Sequence, residues 1–292
     1  MNLIAWSRVA RIKFLPLSGL LVLLGGAMAR QAGYVDPGRL ALVALGLLAA
    51  HLAVNLFNEY FDFHSGIDQH TSRTPFSGGS GVLPEGKLKP RQVLTAAIFS
   101  LALTLGVGLH FCLRQGWELL PLLLLAAFLI IGYSPLILKS PWPEAAAGLG
   151  LGTLPLIGIF FVLGGGYSWR FALAAVPSGL LVHNLLLLNE FPDIEADRQG
   201  GRRTLPIRLG RPAAARFYLI IFMVAYGWLA LAVGLGLMPM GVLLAMFSLP
   251  WTLAAALQTL RAGHQNLPEP ALRNSATAVL LAHLLLGIGY LV

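Results

Sequence analysis

The chain has 292 residues, of which 57% are hydrophobic and only 11% are charged, and its mean hydropathy is +0.76. These values exclude a water-soluble globular protein and indicate a protein that crosses a membrane several times. The net charge of +8 is distributed over short loops, so a nucleic-acid partner is not expected. A single cysteine, Cys112, offers neither a disulfide framework nor a thiolate metal site.

Nine apolar runs are long enough to cross a bilayer with a hydrocarbon core of about 30 Å. They lie at residues 14–29, 39–57, 93–113, 117–138, 145–165, 169–189, 216–236, 238–259 and 272–292. The first run also resembles a signal peptide, but the runs that follow favour a retained helix. No linker divides the chain. We predict one domain, residues 1–292, that is an all-α polytopic membrane protein with about nine transmembrane helices.

Lysine and arginine are distributed unevenly between the two sides that these spans define. The side opposite the N-terminus receives only four of the 20, and these are Arg30, Arg39, Arg114 and Arg170. The positive-inside rule therefore predicts a cytoplasmic N-terminus in the inner (cytoplasmic) membrane. The loops after the second and sixth spans fall on the same cytoplasmic side.

The loop after the second span carries the first of two acidic segments. His51, Asn55, Asn58 and Asp62 recur at intervals of 4, 3 and 4, which predicts one helical face. That face is expected to point into the bundle, because a polar stripe is not tolerated against lipid. Asp68 follows a Ser-Gly pair at which the helix is expected to end and the chain to turn back.

The second acidic segment begins at the end of the sixth span. Asn189, Asp193 and Asp197 recur at intervals of four, which again predicts one helical face. Buried carboxylates are costly unless they bind a cation or each other. Amide and carboxylate oxygens favour Mg²⁺, which takes one or two carboxylates and leaves positions for phosphate oxygens.

Helix capping and pairing with arginine are the alternative for either acidic segment alone, but two matching segments on one side of the membrane favour a metal site. The predicted metal ligands are Asn58, Asp62, Asp68, Asn189, Asp193 and Asp197.

Basic residues beside the second segment indicate an anion that lies between arginine and the metal. Arg202 and Arg203 follow two glycines that let the backbone approach a ligand. The loop at residues 71–90, whose first part from Thr71 to Gly81 is rich in hydroxyls and glycine and includes Arg73, is a candidate lid over phosphate. A connector without a role is the alternative. Tyr133 and Lys139 are typical of anchors at a membrane interface, so a catalytic role for them requires support from a family resemblance.

A resemblance does so. The pattern Asn58-x₃-Asp62-x₅-Asp68, with Asn189-x₃-Asp193-x₃-Asp197 and a trailing Gly-Arg-Arg-Thr, resembles the UbiA superfamily of intramembrane aromatic prenyltransferases. The resemblance covers nearly the whole chain. The first segment looks most like the branch that prenylates 1,4-dihydroxy-2-naphthoate, although many relatives in that branch have Asn or Asp where this chain has Glu59 and Glu190.

The resemblance implies helices around a central cavity that is open to lipid and capped on the cytoplasmic side. The two acidic segments would bind Mg²⁺ ions that bridge a polyprenyl diphosphate. The implied activity is transfer of the isoprenyl group to a small aromatic acceptor, 1,4-dihydroxy-2-naphthoate in menaquinone biosynthesis. Membrane lipid surrounds the isoprenoid tail, and no protein partner is indicated.

The candidate site residues fall into two groups. The candidate catalytic residues are Asp62, Asp68, Asp193, Asp197, Tyr133 and Lys139. The candidate substrate-binding residues are Asn55, Asn58, Arg73, Asn189, Arg202 and Arg203.

Two alternatives stay open. The first is a prenyltransferase of the same family that uses another acceptor, namely 4-hydroxybenzoate, a glycerol-phosphate lipid, a tetrapyrrole or another quinone precursor. A cation-coupled transporter would instead use the carboxylates as ion sites. Transporters place such sites near the middle of the membrane, whereas these carboxylates lie at helix ends beside arginine-rich loops, which favours the enzyme.

Overall fold

Helices form the framework of the protein. The structure is a computed structural model that describes residues 2–69, 71, 73–74 and 77–292. Eight helices in these residues are long and apolar enough to cross a membrane, and one apolar helix is shorter. In chain order they are α1 (Ile12–Gln31), α2 (Pro37–Ser65), α3 (Pro90–Gln115), α4 (Trp117–Gly132), α5 (Pro143–Gly165), α6 (Trp169–Asn189), α7 (Arg211–Gly234), α8 (Met240–Ala262) and α9 (Glu269–Gly289). The predicted all-α polytopic fold is confirmed.

In the described residues, three short α-helices lie outside these nine. They are Leu3–Val9, Ile194–Gln199 and Leu205–Leu209. The first precedes α1, and the other two lie in the loop between α6 and α7, so each belongs to a segment that the sequence placed on the side of the acidic segments.

The fourth predicted span is shorter than the sequence pattern indicated. A 3₁₀ turn of 3 residues and an α-helix of 13 make up α4. At 1.5 Å per residue this helix is about 24 Å long, less than a typical hydrocarbon core. The helix ends at Gly132, three residues before Pro135, because the residue before a proline disfavours the helical conformation. Residues 133–138, which the apolar run included, form a turn and the start of the 3₁₀ helix Ile137–Lys139.

Helix α2 carries the first acidic segment beyond the apolar layer. Its 29 residues extend about 43 Å, which exceeds a hydrocarbon core of about 30 Å. The Asp36 side chain caps its start by accepting the N–H of Arg39 at 2.9 Å. Gly66 ends the helix with φ at +77°, a left-handed conformation that glycine adopts without cost. The prediction that the chain turns at this glycine is confirmed.

Helices α5 and α6 pack backbone against backbone. A Cβ added at Gly152 would lie 2.6 Å from the Cα of Gly179, and one added at Gly148 would lie 2.5 Å from the carbonyl oxygen of Gly179. Small residues allow such close packing between helices in membranes. Helix α6, which ends at Asn189, is thereby held firmly against α5.

Helix α1 belongs to the hydrophobic core. Leu21, Leu24 and Ala29 are buried, and they lie in one cluster with Ile159 of α5 and Ala282 of α9. The first span is therefore an integral part of the bundle in this structure.

The close contact of α5 and α6 gives a test of the packing. Gly152→Ala places a methyl group against the backbone of Gly179 and should lower the free energy of unfolding by about 1–3 kcal/mol. Gly227→Ala on α7 is the matched control, because no atom lies within 4 Å of its added methyl group. Thermal unfolding of both variants in one detergent measures the difference. Equal melting temperatures would contradict the backbone contact.

Candidate active site

A cavity of about 1160 Å³ lies inside the bundle. The ends of α2 and α6 contribute the acidic segments to one part of its wall. Val107, Phe111 and Leu122 of α3 and α4 are among the apolar residues elsewhere on the wall. The cavity therefore suits a ligand that is charged at one end and apolar along the rest.

The predicted polar face of α2 lines this cavity, and each amide on it is anchored. The Asn55 side chain donates to the carbonyl of Ala10 at 3.0 Å, and the Asn58 side chain donates to the Ser134 hydroxyl at 2.9 Å. His51 lies 2.8 Å from the hydroxyl of Ser18 on α1, so it links two helices. These contacts fix the orientation of the helix that presents Asp62.

Asp68 returns to the cavity wall because the chain reverses at Gly66. The 3₁₀ turn Ile67–Gln69 places the Asp68 side chain at 3% exposure, and its Oδ2 has no hydrogen-bond partner. A Cβ added at Gly79 would lie 2.5 Å from Oδ1 of Asp68. The carboxylate therefore lies directly beneath the loop that contains Gly79.

The second acidic segment does not lie on one continuous helix, and this part of the prediction is wrong. Helix α6 ends at Asn189, and a new helix, Ile194–Gln199, begins after Asp193. Pro192 lacks a backbone N–H and therefore cannot continue the hydrogen bonding of α6. Asn189, Asp193 and Asp197 still line the cavity.

Arg202 joins the two acidic segments. Its Nη1 lies 2.7 Å from Oδ1 of Asp197, and its Nη2 bonds Oδ1 of Asp62. Gly201, with φ at +75°, lets the chain turn back toward the cavity. Burial alone would lower the pKa of Arg202, but the carboxylates of Asp62 and Asp197 raise it above its ordinary value. Burial raises the pKa of Asp197 to about 6 in spite of the guanidinium.

The other carboxylates are poorly neutralised. Burial, and then the nearby carboxylates of Asp62 and Glu59, raise the pKa of Asp68 to about 7. Burial, and then the carboxylate of Asp197, raise the pKa of Asp193 to about 7. A shift in this direction means that the charged forms lack enough positive partners. The cluster would therefore be stabilised by a bound cation.

The donor set fits a cation that also binds a ligand. Oxygens of Asp68, Asn189 and Asp193 are buried and have no hydrogen-bond partner. Within the described part of the chain, no three His, Cys, Asp or Glu side chains converge closely enough to enclose a metal ion by themselves. Mg²⁺ characteristically takes one or two carboxylates and completes its shell with water and phosphate oxygens, so the separated oxygens fit that ion.

The predicted lid contacts carboxylates. The N–H of Gly78 donates to Oδ2 of Asp193 at 3.0 Å, and the N–H of Ser80 donates to Glu59 at 3.3 Å. Arg73 lines the cavity and lies 3.3 Å from Glu85. The loop prediction also included Ser72, Pro75 and Phe76, which lie outside the described residues.

Two predicted residues lie away from the cavity. Lys139 is exposed at the end of its 3₁₀ turn, and Arg203 is exposed next to Arg202. Alternate residues of this loop face opposite ways, and the backbone N–H of Arg203 donates to the carbonyl of Leu138 at 2.9 Å. Tyr133 does line the cavity, and its buried hydroxyl has no partner.

Basic residues near the N-terminus and on α9 also line the cavity. They are Arg8, Arg11, Lys13 and Arg273. From the sequence they are indistinguishable from topology signals, because basic residues beside an apolar run are common at any cytoplasmic membrane face. No residue spacing linked them to the acidic segments.

Comparison with known proteins identifies the family. Residues 19–285 match the UbiA prenyltransferase family. The chain therefore belongs to that family of membrane prenyltransferases, and the resemblance inferred from the two acidic segments is confirmed.

Relatives and a solved structure agree with this assignment. The 1,4-dihydroxy-2-naphthoate octaprenyltransferase of Bacillus subtilis is 31% identical over 78% of this chain and 73% of its own. The enzyme of the same name from Escherichia coli is 28% identical over 98% of this chain and 94% of its own. A UbiA homolog from Archaeoglobus fulgidus bound to DMAPP and Mg²⁺ has the same fold, with a TM-score of 0.66 at 15% identity over 97% of this chain and 99% of that chain.

The two adjacent arginines provide a matched test of the site. Arg202→Ala leaves Asp62 and Asp197 buried without their shared partner and should lower the rate of prenyl transfer about a hundredfold or more. Arg203→Ala removes an exposed side chain and should leave the rate within about threefold. Initial rates with a labelled prenyl diphosphate decide between them. An equal loss in both variants would contradict the placement of Arg203 outside the cavity.

Proposed function

We propose that this protein transfers a polyprenyl group from its diphosphate to 1,4-dihydroxy-2-naphthoate, in a reaction that needs Mg²⁺. The observation that carries the proposal is the single cavity in which two acidic segments share one wall with apolar helices. The names of the Bacillus subtilis and Escherichia coli relatives support this acceptor. The Archaeoglobus fulgidus homolog, with its bound DMAPP and Mg²⁺, supports the donor and the metal.

The two acidic segments form the metal-binding part of the proposed site. The residues that would hold Mg²⁺ are Asn58, Asp62, Asp68, Asn189, Asp193 and Asp197. When bound, Mg²⁺ supplies positive charge that makes the diphosphate a better leaving group. Arg202 lies between the segments with only 11% of its side chain exposed, so its guanidinium is positioned to donate hydrogen bonds to the departing diphosphate.

The remaining wall serves the apolar part of the reaction. The allylic C–O bond breaks and its electron pair leaves with the diphosphate, after which a ring carbon of the acceptor forms the new C–C bond. The same ring carbon then loses its former substituent, as a proton or as carbon dioxide from a carboxylate, and the electron pair of that bond restores the aromatic ring. Tyr133 lies on the wall near the acidic segments, where its ring can stabilise positive charge on the allylic group. Apolar side chains of α3, α4 and α5 exclude water from that group.

The proposed location follows from charge. Arg8, Arg11, Arg202 and Arg203 lie on the side of the acidic segments, which the positive-inside rule assigns to the cytoplasm. We therefore place the site at the cytoplasmic face of the inner membrane. A cytoplasmic opening also gives a charged diphosphate and a polar acceptor access without crossing the bilayer.

Asp62 and Asp193 test the metal assignment because they come from different segments. Asp62→Asn and Asp193→Asn keep the side-chain shape but remove a charge, and each should reduce Mg²⁺-dependent transfer at least a hundredfold. Glu195→Gln is the matched control, since Glu195 is exposed beside the same segment. Turnover in purified protein is measured after EDTA treatment and again after Mg²⁺ is restored. Near-normal turnover of both variants would refute the metal assignment.

A panel of acceptors tests the substrate. Labelled polyprenyl diphosphate is offered with 1,4-dihydroxy-2-naphthoate, 4-hydroxybenzoate, a glycerol-phosphate lipid and a tetrapyrrole. The proposal expects label in the naphthoate product at least tenfold above every other acceptor. A higher rate with another acceptor would reassign the substrate within the family. Mg²⁺-independent uptake of an ion into vesicles, with no label transferred, would favour the transporter alternative.

A further inference from the structure

The backbone of residues Gly78–Ser80, which we call the 78–80 turn, crosses both acidic segments. Its first N–H donates to Asp193 at 3.0 Å. Its second residue, Gly79, lies against Asp68 so closely that an added Cβ would be 2.5 Å from Oδ1. The turn therefore touches one carboxylate from each segment.

A third carboxylate, Glu59, holds the end of this turn. Its side chain is fully buried. One of its oxygens accepts the backbone N–H of Ser80 at 3.3 Å, and the other accepts the hydroxyl of the same residue. Arg11 Nη2 lies 3.9 Å from Oε2 and is the positive partner of the carboxylate. A buried carboxylate with these partners is anchored from both oxygens.

The N-terminal segment also contacts the 78–80 turn, through Arg8. Arg8 Nη2 donates to the carbonyl of Ser80 at 2.5 Å, and the same guanidinium pairs with Glu85 at 3.3 Å. Arg11 has a φ of +48°, a conformation that is uncommon for residues other than glycine and persists only where the surroundings determine it. The N-terminal segment, the turn and Glu59 thus form one connected unit.

Glu59 does not contact the cavity itself. It is absent from the cavity wall, although the preceding residue, Asn58, and Asp62, about one helical turn further along, both lie on that wall. Both of its oxygens already bind Ser80. The hydrogen bonds of Glu59 therefore act on a ligand only through the turn, whereas its charge also acts directly on Asp68.

We propose that Glu59 is a positioning residue that fixes the 78–80 turn and thereby sets the separation of Asp68 and Asp193. The inference deepens the proposed function, because these two carboxylates belong to the proposed Mg²⁺-diphosphate site. The geometry requires two acceptor oxygens and a negative charge at position 59. A glutamine amide offers one acceptor oxygen and one NH₂ group, so one of the two Ser80 donors loses its acceptor.

Two substitutions remove opposite ends of this contact. Glu59→Gln removes the charge and one acceptor. Ser80→Ala keeps the charge of Glu59 but removes the hydroxyl that donates to Glu59 and accepts the N–H of Val82 at 3.0 Å. Glu195→Gln is the control for the loss of a glutamate charge near the site. The readouts are KM for the polyprenyl diphosphate, kcat, and hydrogen exchange of the amides at 77–83 in the full-length protein.

Both single variants should raise KM about tenfold and leave kcat within about threefold, because a hydrogen bond to a charged group is lost. Exchange of the amides in the turn should accelerate about tenfold. The double variant should be no worse than the more affected single variant, since both substitutions break one contact. The control should match the wild type in all three readouts.

Unchanged exchange in the turn would overturn the proposal, and so would a loss confined to kcat. If Glu59→Gln does not fold, Ser80→Ala alone decides between these outcomes. A wild-type protein that prenylates no acceptor would refute the proposed function instead. In that case the exchange measurement still reports whether Glu59 holds the turn.

Discussion

The guanidinium of Arg202 is shared by two carboxylates, Asp197, which is 5 residues away along the chain, and Asp62, which is 140 residues away. A buried pair of this kind survives only if its hydrogen bonds are well formed, because removing either charge from water is costly. The bridge therefore requires that the ends of α2 and α6 meet at one depth. Most other features of the site follow from that requirement.

The length of α2 and the packing of α6 each help to bring the ends of these two helices to the same depth. Helix α2 is long enough to extend past the hydrocarbon layer and ends at Gly66, so its last turn presents the buried Asp62 beyond that layer. Helix α6 is held against α5 through the close approach of Gly152 and Gly179, and it stops at Asn189. Burying a carboxylate inside the membrane costs free energy. A cluster of carboxylates at one membrane interface therefore indicates a binding site.

Periodicity and composition predicted the membrane class, the polar face of α2 and the reversal before Asp68, because each depends on local sequence. Periodicity and composition did not predict the features that depend on tertiary structure. The break at Pro192 was visible in the sequence but was outweighed by the spacing of four. The exposure of Lys139 and Arg203 depends on which side of a loop faces the cavity, and spacing does not encode that. The contact of Arg8 with Ser80 joins residues that are 72 positions apart, and Arg11 pairs with Glu59, so neither contact has a local signal.

Locating the cation is the most direct test of the central claim, which is that both acidic segments hold one metal-diphosphate site. The measurement is an anomalous diffraction map of crystals grown with Mn²⁺, as a substitute for Mg²⁺, and an unreactive prenyl thiodiphosphate. We expect anomalous peaks for Mn²⁺ between the carboxylates of Asp62 or Asp68 and those of Asp193 or Asp197, in contact with the diphosphate. A diphosphate bound with no metal beside these residues, or a metal bound elsewhere, would contradict it.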